Sequence, residues 1–99
     1  MPALKVHDAD NVATVFEENV TPGAAVEIRD QRGATCKLTA KGAIAYGHKI
    51  ATRDIPIEQP VVKYGEIIGS AARNIEAGDH VHVHNLDSLR GRGDLDAGI

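Results

Sequence analysis

Three of the five histidines of this chain sit on alternate residues, in Asp79-His80-Val81-His82-Val83-His84-Asn85. Imidazole is the side chain that titrates nearest neutrality, so it suits proton transfer, and its neutral nitrogen is a common metal ligand. A β-strand points successive side chains to opposite faces. Read as a strand, the segment puts His80, His82 and His84 in one row and sends Val81 and Val83 to a core. Histidines two apart on a strand can converge on one zinc or iron ion. The plain alternative is a solvated polar face, but such a face normally carries Lys, Glu or Thr rather than three histidines and an asparagine. A second candidate is Gly47-His48-Lys49. There a glycine permits close backbone approach, His48 can exchange a proton, and Lys49 can hold a carboxylate as a point charge. An exposed polar loop is the competing reading of that triplet. His7 stands alone and reads as structural or surface.

The elements that must position these groups read as short strands. Leu4–His7 alternates, and Val12–Phe16 is rich in β-branched residues. Val26–Arg29 and Thr35–Thr39 flank Asp30-Gln31-Arg32-Gly33-Ala34 as a hairpin. Ile44–Ala51, Pro60–Gly65 and Glu66–Arg73 continue the series, with bends expected at Gly65 and Gly69. No stretch has a convincing helical period. One pattern recurs: Asn19-Val20-x-x-Gly23-x-x-Val26, Asp54-Ile55-x-x-Glu58-x-x-Val61 and Asn74-Ile75-x-x-Gly78-x-x-Val81. It reads as one turn device used three times, with the Asn or Asp bonding to its own turn.

At 99 residues the chain is a single domain. The boundaries expected are 1–86 for the β domain and 87–99 for a flexible, Gly-rich and charged C-terminal tail. Aromatic content of 3% and a net charge of −3 argue against nucleic-acid partners. No apolar run approaches membrane-spanning length. A single cysteine, Cys36, cannot form an internal disulfide, which suits a cytoplasmic setting, and its alternating surroundings suggest a buried structural thiol.

Several separated motifs carry a resemblance. Gly47-His48-Lys49-Ile50-Ala51, Asp54-Ile55, Tyr64-Gly65-Glu66-Ile67-Ile68-Gly69 and Ile75-x-Ala77-Gly78-x-x-Val81-His82-x-His84-Asn85 together resemble the altronate and galactarate dehydratases. They are similar in particular to the N-terminal domain or small subunit of those enzymes and of sulfolactate sulfo-lyase. The fold implied is the all-β SAF, or antifreeze-like, β-clip domain. The function implied is a small subunit of a hydro-lyase acting on altronate, galactarate or a related 2-hydroxy acid, capping the active site of a separate large catalytic subunit. The resemblance implies catalytic roles for His48, His82 and His84 and substrate contacts for Lys49 and Asn85. It sets His80 apart as a bystander. It also implies a divalent metal, iron, manganese or magnesium, held mainly by the large subunit. A stand-alone module that binds a sugar acid or a metal is the alternative, and self-association is left open.

Overall fold

A computed structural model describes residues 3–88. Its elements are β1 (Ala3–Lys5), β2 (Val12–Thr14), β3 (Ala25–Asp30), β4 (Thr35–Thr39), β5 (Lys49–Ala51), β6 (Pro60–Lys63), β7 (Glu66–Ala71), β8 (His80–Val81) and β9 (Leu86–Ser88). Among the described residues there is no helix, so the chain is all-β as its sequence indicates, and no helix is long and apolar enough to cross a membrane. Six strands form one sheet in the order β4-β3-β1-β2-β5-β8, and β6-β7-β9 form a second. Strand β9 carries regular pairing to Ser88, two residues past the expected domain boundary. The rest of the expected tail, 89–99, lies outside the described residues.

The recurring turn is the unit from which the fold is assembled, and among the described residues it occurs four times rather than three. Gly23, Gly47, Glu58 and Gly78 all have positive φ. In each case the residue after them donates its N–H three residues back, to Thr21, Ala45, Pro56 and Glu76 respectively. A positive φ at the third position of such a turn is the type II pattern, which favours glycine there. The copy missing from the sequence pattern is Ile44-x-x-Gly47-x-x-Ile50, which has Ala43 where the others have Asn or Asp.

The four turns interlock in two pairs. Val20 bridges Ile44, and Ile55 bridges Ile75. Gly23 donates its N–H to the carbonyl of Ala40, and Ala40 donates back to the carbonyl of Ala24. Gly47 and His48 make the same two bonds with Val15, Glu58 and Gln59 with Ala71, and Gly78 and Asp79 with Ala51. Each turn is therefore locked to the strand end that precedes its partner turn. In the second pair the Asp and Asn of the motif act across the pairing instead of locally. The Asp54 carboxylate accepts the N–H of Ala77, and the Asn74 carbonyl oxygen accepts the N–H of Ile57.

Each interlocked pair has its own aliphatic core. Val15, Val20, Val26, Ile28, Ile44 and Ile50 pack around the first. Val12, Ile55, Val61, Ala71, Ile75 and Val81 pack around the second. Burying such side chains contributes about 1.5–3 kcal/mol each, which lets a chain with so few aromatic rings hold a fold.

Two buried polar side chains fasten the second sheet to the first. Asn11 donates to the carbonyl of Pro60 and accepts the N–H of Val62. Asp10 accepts the N–H groups of Val6, His7 and Gly65. Burial pushes the Asp10 carboxyl up, but hydrogen bonds from the backbone of Gly65, His7, Tyr64 and Val6 outweigh it and hold the group below its ordinary value. The Tyr64-Gly65 turn between β6 and β7 has positive φ at both residues, the geometry of a tight hairpin.

Two expectations are corrected here. Cys36 is exposed, because β4 is an edge strand on which only Leu38 packs against the core. The histidine segment is a strand only at His80–Val81, and residues 82–85 form a turn. Val81 is fully buried, whereas Val83 is 81% exposed and never reaches the core.

Candidate functional site

Asn85 ends the strand. Its side-chain oxygen accepts the N–H of His82 at 3.0 Å, and its amide donates to the carbonyl of His80 at 2.8 Å. The Asn85 N–H closes the same turn onto the His82 carbonyl. The chain is thereby folded back within one turn, so the alternate-residue row is broken and the three histidines no longer stand side by side on a pleat. Asn85 is buried, and both polar ends of its side chain are spent on backbone. The residue expected to touch substrate thus sits in the structure as the clamp of the histidine turn.

A fourth histidine enters from a different part of the chain. His48 follows the Gly47 turn and leads into β5, which pairs antiparallel with β8 through Lys49 opposite Val81 and Ile50 opposite His80. That register brings residues 32 apart in sequence into contact: His48 Nδ1 lies 2.8 Å from His80 Nε2, a hydrogen bond in which the two imidazoles share one proton. The rings lie nearly parallel, with centroids 5.0 Å apart. His82 lies face to face on His48 at 4.0 Å, and His84 stands 5.2 Å from His80 at a tilt of 40°. His80, set apart by the sequence resemblance, is the group that contacts all of the others.

This crowding sets the protonation. Burial, and then the rings of His48, His84 and His82 and the Lys49 ammonium, push His80 down to about 4. Burial, His48, Lys49 and His84 also lower His82. Both rings are thereby held towards the neutral form. Lys49 is lowered as well, by burial first and by the neighbouring Lys63 second. A half-buried ammonium facing another cation is stabilised by an incoming carboxylate, which replaces lost hydration and screens the repulsion.

The cluster stands between two open hollows. One, of about 600 Å³, is lined by Val20, Ile44, Tyr46, His48 and His80 among others. The other, of about 360 Å³, is lined by Lys41, Arg73, His80, His84 and Asn85 among others. His80 borders both. Tyr46 and Val83, both exposed, flank the histidines. His7 lies elsewhere, accepting the N–H of Ala9 and covering Gly65, in keeping with the structural place expected for it.

Arranged this way, the residues can bond a substrate hydroxyl, move a proton, seat a carboxylate or ligate a cation. His48, His80 and His82 each offer a ring nitrogen within 4.8 Å of the others, and they form the only group of three or more such ligands among the described residues. Sequence spacing linked His80, His82 and His84. It could not reveal the His48–His80 pair, which only strand pairing creates.

Comparison with known proteins places the chain in a family. The family model described as the altronate/galactarate dehydratase SAF domain matches residues 1–89. The (2R)-sulfolactate sulfo-lyase subunit alpha of Chromohalobacter salexigens is 41% identical over 88 residues, covering 86% of this chain and 93% of that protein. Altronate dehydratase of Escherichia coli is 39% identical over 85 residues, covering 86% of this chain but 16% of that enzyme. Galactarate dehydratase (L-threo-forming) of the same organism is 38% identical over 78 residues, covering 79% of this chain and 14% of that enzyme. The chain spans nearly all of the sulfo-lyase subunit but only about a sixth of the altronate dehydratase and a seventh of the galactarate dehydratase. With its interlocked all-β fold and a match over residues 1–89, this chain belongs to the altronate/galactarate dehydratase SAF-domain family.

Proposed function

We propose that the chain is the SAF-domain component of a lyase acting on a 2-hydroxy acid of the altronate, galactarate or sulfolactate class, and that its histidine face forms one wall of an active site completed by a larger polypeptide. The observation that carries this reading is the convergence of His48, His80, His82 and His84 on an open rim, not in an enclosed cavity, with the Lys49 ammonium near enough to act on His80 and His82. Such a rim gains an interior only when a second surface covers it. Two features support the covering surface. Val83 and Tyr46 leave apolar area bare beside the histidines. The relatives supply a partner in two ways: one is named a subunit alpha, and in the dehydratases the matching part is a small share of a longer chain.

The reaction class fits the groups. Elimination takes a proton from the carbon beside a carboxylate and expels hydroxide, as water, or sulfite from the next carbon. It needs a base, an acid for the leaving group and positive charge near the carboxylate. In this reading the imidazoles of His48, His82 and His84 bond the hydroxyls and move protons, and Lys49 seats the carboxylate. His80 holds His48 in one orientation, and Asn85 holds the turn.

Mixing the purified chain with a candidate large polypeptide, then assaying 2-keto acid or sulfite release, tests the reading. Activity that requires both components, and falls in His48→Ala and His82→Ala, is expected. No gain on mixing, or full activity with those variants, overturns it.

A further inference from the structure

We propose that His48, His80 and His82 form a binding site for one divalent first-row transition ion, with zinc as the reference ion. The site deepens the proposed function by naming a ligand of the same face; it rests on that reading only for its use in catalysis. The argument starts from the ligand set. Three imidazole nitrogens lie within 4.8 Å of one another, and no carboxylate shares in the group. Imidazole suits zinc, iron, nickel and copper, whereas magnesium and manganese prefer oxygen ligands. Three neutral ligands leave the ion's full charge and an open position, the arrangement of sites that bind a water or substrate as the fourth ligand.

Geometry supports the same conclusion. Metal–nitrogen bonds of about 2.0–2.1 Å at tetrahedral angles set ligand nitrogens about 3.3–3.4 Å apart. His48 Nδ1 and His80 Nε2 are 2.8 Å apart, so an ion entering between them separates the pair by about half an ångström and replaces their shared proton. His82 must turn from its face-on position over His48 to present a ring edge, a rotation its partly exposed place in the turn permits.

The scaffold holds two ligands rigidly and the third on a short tether. His48 and His80 are fixed by the β5–β8 register, and His82 is tied through its backbone to Asn85. The His48–His80 pair borders the 600 Å³ hollow, which gives the open position access to a small acid. Three stacked imidazoles facing an open rim have no packing purpose, since each is only partly buried and none fills either core.

The full chain, stripped with chelator, is titrated with zinc chloride by calorimetry and with cobalt chloride by visible absorption. One ion per chain is expected, with the cobalt spectrum of a nitrogen-ligated site of low coordination number. His48→Ala, His80→Ala and His82→Ala should each weaken binding by more than about 100-fold, because loss of even an outer-shell partner costs about 10–100-fold. Cys36→Ser should keep the affinity and spectrum, which separates the site from the exposed thiol. Thermal melts identify any histidine variant that fails to fold. Imidazole nitrogen chemical shifts of the unmodified chain, moving for these three histidines on adding zinc, then supply the decision. Binding weaker than about millimolar, binding that survives all three substitutions, or shifts confined to other histidines overturns the site. Zinc binding without lyase activity on reconstitution would overturn the proposed function and leave the site standing. A metal-free chain that supports full activity would leave the proposed function standing and overturn a catalytic use of the ion, the binding itself being decided by the titrations.

Discussion

Asn85 separates a positioning role from direct substrate contact most sharply. Asn85→Ala removes two side-chain hydrogen bonds and leaves the His82 N–H and the His80 carbonyl without them. A hydrogen bond contributes about 0.5–1.5 kcal/mol net, and an abandoned buried partner costs about 1–3 kcal/mol. The turn is partly open to water, which fixes the sum near the low end, about 2–3 kcal/mol. For a domain of this size each kcal/mol moves the melting temperature by about 4–8 °C, so a fall of about 10–20 °C is expected. Asn85→Asp is the sharper variant. It keeps an oxygen for the His82 N–H but sets a second oxygen against the His80 carbonyl, and it should be at least as damaging as alanine. A group that merely bonded a substrate hydroxyl would tolerate that exchange. Urea and thermal melts of the three proteins measure the effect. If both variants melt like the parent while KM alone rises in the reconstituted lyase, the clamp reasoning is refuted and Asn85 contacts substrate.

Other outcomes follow from the same structure. Asp10→Asn turns an amide towards N–H donors and should cost about 2–4 kcal/mol at neutral pH. Because the folded carboxyl titrates below its ordinary value of 3.8, its contribution is complete above that pH and is lost as pH falls through the folded value. The parent chain should therefore lose this stability only in acid, and the acid limb of a urea-stability profile should flatten in the variant. Gly78→Ala should destabilise by more than about 2 kcal/mol, since φ is +93° and a Cβ would lie 2.3 Å from the Thr39 carbonyl oxygen; equilibrium unfolding reads it directly. Lys49→Met should raise KM about tenfold or more in the reconstituted lyase, the worth of a charge-assisted bond of about 1.5–3 kcal/mol. An unchanged KM would remove Lys49 from the carboxylate seat.

What the sequence discloses and what it hides divide along one physical line. Local backbone demands are written locally. A β-branched residue three places before a glycine marks three of the four type II turns, with Glu58 in place of glycine in the other, and the hairpin at Asp30–Thr35 is visible in its loop. Which turn locks to which is not written anywhere, because all four copies look alike; the pairing of 20 with 44 and 55 with 75 is a property of the packed chain. The site inherits that blindness. His48 meets His80 only because the second and fourth turns feed the paired strands β5 and β8. Alternation misled at two places for the same reason. Val83 follows Val81 with strand spacing, but two hydrogen bonds from Asn85 turn the chain before the pleat can continue. Cys36 alternates with its neighbours, yet its strand lies at the edge of the sheet. The His48–His80 contact therefore depends on the turns as much as on the histidines. Loss of the Gly78 turn should release His80 from His48 without touching either ring, coupling a backbone position that only glycine fits to the chemistry it holds in place.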